Sequence, residues 1–379
     1  MNKINFIPYS KQNISNEDIE AVFETLKSDY LTTGPKIKEF EEALCKYTGA
    51  KYCVAVSNGT AALHLASLVL LNENDKVLTT VNSFLATSNS ILYVNAKPIF
   101  VDICEDGNID LDLCEEELKK DSSIKAIYVV HLSGLSVNQK RLKKLKEKYD
   151  IKILEDCAHS IGAVNDGIKA GSCRNSDIST FSFHPVKGFT TGEGGAITTN
   201  SKEIYEKLLV LRNHGMKANP EIAPWHYDMT ELGFNYRLTD IACALGISQL
   251  KRLDEFLDKR RATAKRYCEI LEKYDFIKPI YDFTQESAYH LFVVNIDFDK
   301  FDIDKKEFVL KMREKNIGLQ FHYIPINKQP YYKNLGYGEE NTPIMDKYYK
   351  EAISLPLYPT LSIEEQDYVI TSMLEVLGV

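Results

Sequence analysis

FSFHPVKGFTTGEGG, residues 181–195, is the stretch on which the reading of this chain turns. One lysine, Lys187, stands between a β-like run, 178–183, and a glycine-rich segment, Gly192-Glu193-Gly194-Gly195. A lysine that acts as a covalent catalyst must be held in place and partly desolvated, so that its amine is neutral often enough to attack a carbonyl. Aromatic and β-branched residues before it and glycines after it, which permit close backbone approach, meet both needs. An ordinary surface lysine in a loop after a strand fits the same stretch. The surroundings have to decide.

Upstream, strands and helices alternate. The pattern predicts a strand at 52–56, a small polar turn Ser57-Asn58-Gly59-Thr60, and a helix at 61–71. It continues with strands at 76–80, 97–102, 124–131 and 151–156, separated by helices at 86–94, 112–120 and 137–149. Such regularity implies an α/β fold, a mostly parallel sheet with helices on both faces. Ligands of such sheets sit beyond the carboxyl ends of the strands. Thr60, Asp156 and Lys187 all fall at such ends or just past them.

The flanks complete the organisation. Residues 1–14 read as extended, a helix starts at Ser15-Asn16-Glu17-Asp18 and runs to about Lys27, and helical spacing resumes at 37–47. After the glycines come a helix at 202–212, a loop carrying Pro220, Pro224 and Trp225, and one long helical run, 238–273. Beyond Asp275 the pattern shifts to short strands, 290–298 and 318–323, with helices at 305–315 and 363–377. The expectation is a large domain over 1–250 and a smaller C-terminal α+β domain over 251–379.

Composition narrows the function classes. The chain has 379 residues and a formal net charge of −8, with no long basic run, which argues against nucleic acid as a partner. No apolar stretch approaches the roughly 20 residues of a membrane span, and the first residues lack a signal-peptide core. Eight cysteines form no CxxC pair, so free thiols in a reducing cytoplasm are expected and a metal site is not. No GxGxxG turn follows the first strand, which removes a nicotinamide-dependent dehydrogenase.

A reactive lysine, a carboxylate at a strand end and a helix start that can hold a phosphate suit one cofactor especially well, pyridoxal 5'-phosphate. Its aldehyde needs an amine, its phosphate needs N–H donors, and its ring nitrogen needs a carboxylate to stay protonated. Asp156 and Glu155 compete for the last role, because successive strand residues face opposite sides. His159 could hydrogen-bond the ring or its hydroxyl, and Phe84 could stack on it; both also fit plain structural roles, as a turn histidine and a core aromatic.

Seven ordered motifs then carry a resemblance over essentially the whole chain: LTTGPKIKEFE (31–41), SNGTAALHLA (57–66), KPIFVDI (97–103), EDCAHSIGA (155–163), FSFHPVKGFTTGEGGAITTN (181–200), GFNYRLTDIACALG (233–246) and HYIPINKQPYY (322–332). The sequence resembles the DegT/DnrJ/EryC1/StrS sugar-nucleotide aminotransferases. DGNID (106–110), LRNHGM (211–216), PWHYDM (224–229) and ISLPLYPTLS (353–362) resemble one branch, the UDP-4-amino-4,6-dideoxy-N-acetyl-β-L-altrosamine transaminases of pseudaminic acid biosynthesis.

The resemblance implies the fold of the type I pyridoxal phosphate enzymes, with Lys187 as the cofactor lysine and Asp156 at the pyridine nitrogen. It places His159 near the 3-hydroxyl, Phe84 over the ring, and Thr60, Ala61 and Ser182 at the phosphate. It implies a homodimer in which the Asn-Tyr-Arg segment reaches the neighbouring subunit, so that Asn235 acts there, with Arg237 a further candidate for the same role. Thr33, His184, Arg237, His322 and Tyr323 become candidate substrate contacts, and Arg212 a further candidate for the diphosphate. L-Glutamate would give its amino group, through pyridoxamine phosphate, to C4 of a UDP-linked 4-keto-6-deoxy sugar. Another UDP- or dTDP-keto sugar, aminated at C3 or C4, is the alternative.

Three departures from the pattern stand out: Thr80-Val81-Asn82-Ser83 before Phe84, Ser57-Asn58-Gly59-Thr60 at the phosphate loop, and Asn327 where many relatives have histidine. A related sugar dehydratase would carry histidine at the lysine position, which Lys187 argues against. A non-catalytic scaffold would not be expected to retain both Lys187 and Asp156.

Overall fold

The computed structural model describes residues 5–379. Seven strands build the central sheet: β1 (Tyr52–Val56), β2 (Lys76–Thr80), β3 (Lys97–Val101), β4 (Ile124–Val130), β5 (Lys152–Asp156), β6 (Ile178–Ser182) and β7 (Gly195–Thr199). Their order in space is β1-β7-β6-β5-β4-β2-β3. All share one direction except β7, which pairs antiparallel with both neighbours and sets Gly195 opposite Val56 on one side and Ser182 on the other. A Cβ at Gly195 would lie 2.5 Å from the Asn58 carbonyl, so only glycine lets β7 start beneath that turn.

The strands are short and apolar because both faces are covered. Helices α1 (Asn16–Lys27) and α2 (Pro35–Thr48) precede the sheet; α3 (Gly59–Leu70), α4 (Leu85–Leu92), α5 (Leu111–Lys120) and α6 (Gln139–Tyr149) lie between its strands in sequence, and α7 (Lys202–Arg212) follows them. Val54 and Val56 pack with α3, α4 and α7 on one face, while Cys53 and Ala55 pack with α2 on the other. Farther along the sheet, Leu154 belongs to the first face and Ile153 to a cluster with α5 and α6 on the second. The period of two places successive residues of each strand in different cores.

The run 238–273, expected as one helix, is two: α8 (Asp240–Lys251) and α9 (Leu253–Leu271). The break is at Arg252 (φ −104°, ψ 2°), whose guanidinium is drawn away to the Asn13 carbonyl and to Asp18. Leu253, Phe256 and Leu257 of α9 pack into the core beneath the large sheet. Ala264, Tyr267 and Leu271 pack instead with a second, antiparallel sheet of β8 (Ile277–Pro279), β9 (Phe292–Ile296) and β10 (Ala352–Leu355). Between the two halves of α9, the buried Arg260 donates to the carbonyls of Tyr289, His290 and Leu357. Helices α10 (Lys305–Glu314), α11 (Pro330–Asn334), α12 (Pro343–Glu351) and α13 (Ile363–Leu377) complete the C-terminal part.

Two further expectations need correction. The segment 318–323 is not a strand; only Gln320 bridges to Ser354, after which the Tyr323 N–H turns to the Asn82 side chain (3.0 Å). The loop with Pro220 and Pro224 encloses a two-stranded ribbon, Met216–Ala218 with Tyr227–Met229, whose prolines occupy the connection rather than the ladder. Of the extended N-terminal segment, residues 1–4 lie outside the described residues, and Ile7 pairs with Ile317. Among the described residues no helix is long and apolar enough to cross a membrane.

Candidate active site

The carboxyl ends of β1, β5 and β6 open into a cavity of about 740 Å³. At its β1 side the chain turns into α3. Asn58 caps that helix, its Oδ1 accepting the Ala61 N–H at 2.8 Å. Ala61 is thus already engaged, while the N–H groups of Gly59 and Thr60 line the cavity without a backbone partner among the described residues. Ser182 closes against this helix start: a Cβ on Gly59 would meet the Ser182 Cβ at 2.8 Å. Two free N–H groups, two hydroxyls and a helix dipole suit this corner to an anion.

At the centre, β5 delivers both acids, and the sheet separates them. Glu155 points to the far face, where its oxygens meet His131 Nε2 (2.9 Å), Gln139 Nε2 (2.7 Å) and Ser176 Oγ (2.5 Å). Burial alone would raise its pKa, but these donors hold it below the usual value. Asp156 faces the cavity. Its Oδ2 accepts from Thr87 Oγ1 (2.8 Å) and its Oδ1 from the Ala158 N–H (3.0 Å). Of the two acids that alternation left open, Asp156 is the one on the cavity side.

Lys187 comes from a tight turn. Its N–H donates to the His184 carbonyl at 2.9 Å, with Pro185 at the second turn position, and Ser10 Oγ donates to the Val186 carbonyl at 3.1 Å. Its side chain enters the cavity, where burial lowers the amine pKa to about 8 and the charge of Asp156 partly opposes that shift. A lysine in this range is neutral in about a tenth of molecules at pH 7, far more often than a solvated lysine.

The opposite wall holds three histidines. His159 Nε2 pairs with Tyr323 Oη (3.0 Å), while its buried Nδ1 has no partner among the described residues. Burial, Lys187 and His322 push its pKa well below that of free histidine, so it is neutral. His290 stacks obliquely on it, ring centres 4.3 Å apart, and its Nδ1 is also unpartnered. His322 Nδ1 meets Ser354 Oγ (2.8 Å), with its pKa pushed down to about 3 by burial and by Lys187. The Thr180 hydroxyl on β6 is a third buried, unpartnered polar group in the same cavity.

Of the residues named from sequence, Thr60, Ala61, Phe84, Asp156, His159, Ser182, His184, Lys187, His322 and Tyr323 line this one cavity. Phe84, 58 % exposed, lies at the mouth with its ring 6.2 Å from that of Tyr323. Thr33, Asn235 and Arg237 do not line it: Thr33 is exposed, Asn235 is exposed beside Asn213, and Arg237 bonds Asn213 Oδ1 at 2.6 Å. Arg212 is engaged in a partly buried pair with Glu41 and with the Ala55 carbonyl, so it is no free diphosphate ligand. Asn327 is buried and bonds Glu340, outside the cavity. Sequence reasoning missed Thr87, Thr180, Tyr236 and His290. The one available signal was the run of hydroxyl residues in ATSNS (86–90), unusual inside a buried helix.

The profile of the DegT/DnrJ/EryC1/StrS aminotransferase family matches residues 12–374. The chain belongs to that family. It is 41 % identical over 374 residues, 98 % of this chain and 97 % of the other, to the UDP-4-amino-4,6-dideoxy-N-acetyl-beta-L-altrosamine transaminase of Campylobacter jejuni subsp. jejuni serotype O:23/36. Helicobacter pylori PseC, an aminotransferase involved in the biosynthesis of pseudoaminic acid, superposes with a TM-score of 0.93 at 31 % identity, covering 99 % of this chain and 100 % of PseC. The PLP form of Spr1654 from Streptococcus pneumoniae gives 0.90 at 31 % identity, covering 98 % and 99 %. Membership makes the chain an aminotransferase, and the site agrees on its own terms. An anion corner, a buried carboxylate with capacity for a further donor, an amine of lowered pKa and an unpartnered histidine nitrogen fit the phosphate, ring nitrogen, aldehyde and hydroxyl of pyridoxal phosphate.

Proposed function

We propose that this family member is a pyridoxal phosphate-dependent aminotransferase that moves an amino group from L-glutamate to C4 of a UDP-linked 4-keto-6-deoxy-N-acetyl-β-L-altrosamine precursor, in pseudaminic acid biosynthesis. The observation that carries it is the meeting of Lys187, Asp156 and the free start of α3 in one cavity. The likeness to the altrosamine transaminases over nearly the full chain supports the sugar.

When bound, pyridoxal phosphate supplies an electron sink that stabilises negative charge at the carbon losing its proton. The protein's residues do the rest. Gly59, Thr60 and Ser182 would hold the phosphate, and Asp156 would keep the ring nitrogen charged by accepting its proton's hydrogen bond. His159, neutral and held by Tyr323, offers Nδ1 to the ring hydroxyl. The Lys187 amine, in the same cavity, would be the group that anchors the aldehyde and, once free, the base placed to take a proton from the donor's α-carbon. Its lowered pKa suits a group that must act as base and then as acid near neutral pH. Phe84 at the mouth is the residue that would cover the ring.

The enzyme works in the cytoplasm as a homodimer, with Asn235 and Arg237 serving the partner's cavity. Support comes from the exposed apolar residues Trp225, Tyr227, Met229 and Leu232 near these two residues in the chain. Absorbance spectra test the chemistry. The purified protein should show a visible band that L-glutamate converts to a shorter-wavelength form, and Lys187→Ala should lack it. A protein that takes up pyridoxal phosphate with no lysine-dependent band would sink the proposal. A panel of UDP- and dTDP-linked 3- and 4-keto sugars then tests the acceptor, and sedimentation tests the dimer.

A further inference from the structure

We infer that Thr87 is a positioning residue for the cofactor ring, acting through Asp156: its hydroxyl fixes the carboxylate in the orientation from which it can hold the proton of the ring nitrogen. This rests on the functional reading above and assigns a role to a residue outside the cavity wall.

Helix α4 is built in an unusual way. Thr87, Ser88 and Ser90 are each no more than 1 % exposed, where apolar residues would bury more surface favourably and favour the helix more. Thr87 and Ser90 each have a specific partner. Tyr128 Oη donates to Ser67 Oγ (3.1 Å), Ser67 Oγ to Ser90 Oγ (3.1 Å), and Ser90 Oγ to the Thr87 carbonyl (2.8 Å). This chain of hydroxyls ties the sheet, α3 and α4 together behind Thr87. Thr87 in turn donates its one proton forward to Asp156 Oδ2 at 2.8 Å.

The consequence follows from counting donors. Asp156 Oδ1 is already held by the Ala158 N–H, so with Thr87 each oxygen carries one fixed donor and the carboxylate cannot rotate freely. Two fixed donors favour the charged carboxylate and keep it aimed at the ring nitrogen's N–H. The shared proton therefore stays on the ring nitrogen, and the ring keeps its positive charge. Without the Thr87 donor Oδ2 is no longer fixed, the carboxylate can turn away from the ring nitrogen, and the nitrogen holds its proton less well. A helix–strand contact kept for packing alone would need the shape of threonine and not its hydroxyl.

The test is a pH titration of the visible band of the lysine-bound cofactor in wild type, Thr87→Val and Thr87→Ser. A charged ring nitrogen lowers the pKa at which that band titrates, so its loss raises it. Thr87→Val keeps the shape and removes the donor; its titration should move up by roughly one unit. Thr87→Ser keeps the donor and should stay near wild type. An unshifted Thr87→Val, or a Thr87→Ser that shifts equally, overturns the assignment. If Thr87→Val does not fold, Thr87→Ala takes its place in the same comparison with Thr87→Ser. A wild-type protein with no lysine-dependent band overturns the functional reading itself, and this inference with it, which separates the two failures.

Discussion

Glu155 and Asp156 are adjacent on one strand, both buried, both accepting hydrogen bonds, and they do opposite work. On the Glu155 side His131, Gln139 and Ser176 all donate to the carboxylate, and His131 is itself held, its Nδ1 accepting the Val137 N–H at 3.2 Å. On the Asp156 side the acid has two donors, and around it Thr180 Oγ1, His159 Nδ1 and His290 Nδ1 are buried without partners among the described residues. A saturated buried network is a structural device, whereas unpartnered polar groups crowded at one place are expensive unless something else completes them. Completion, more than burial or charge, distinguishes the two faces.

Substitutions can break this comparison. The largest effect belongs to Lys187→Ala, expected to reduce turnover by roughly four orders of magnitude or more, since one amine both holds the cofactor and moves the proton. Asp156→Asn follows, with turnover down by about two to three orders of magnitude and little change in the unfolding midpoint. Glu155→Gln should do the reverse. It turns an NH₂ toward groups that already donate, costing about 3 kcal/mol of stability while the folded fraction keeps its turnover. Denaturant unfolding and activity per folded molecule, measured on both acid variants, check the contrast. If Glu155→Gln loses turnover without stability, the two faces are not divided as argued.

The sheet was legible because alternating strands and helices leave a periodic trace, and every strand from 52 to 156 lies within two residues of its expected place. What escaped has physical causes. The break at Arg252 depends on a long-range pull from Asn13 and Asp18, which helix propensity does not contain. The 318–323 segment has the composition of a strand but bends to serve the cavity. In the site, the residues found from sequence stood in motifs with distinctive spacing. Thr87 lies in a helix, Thr180 in a strand and His290 just before one, where a hydroxyl or a ring reads as core. Arg212 looked available because sequence does not reveal that Glu41 holds it. Asn235 and Arg237 were named from a two-chain arrangement, and within one chain they stand outside the cavity.

The smallest effect is the most diagnostic of how the pocket tunes Lys187. Burial brings its pKa from 10.5 to about 8 in the folded protein. Below pH 8 the folded state must hold a charged amine in a poor place, while the unfolded chain holds it in water. The penalty is complete there and disappears as pH rises from 8 toward 10.5, because the unfolded state binds the proton more tightly over that window. Partial exposure reduces the penalty to about 2 kcal/mol. Lys187→Met, similar in length and without charge, should therefore stabilise the cofactor-free protein by about that amount at pH 7, and by much less near pH 10. Unfolding curves for wild type and variant at the two pH values measure it. A gain equal at both would come from methionine packing and would mean that the amine is not strained by its surroundings. A gain that fades with pH would mean that the cavity stores, in the unloaded enzyme, the same destabilisation of charge that readies the amine for its carbonyl.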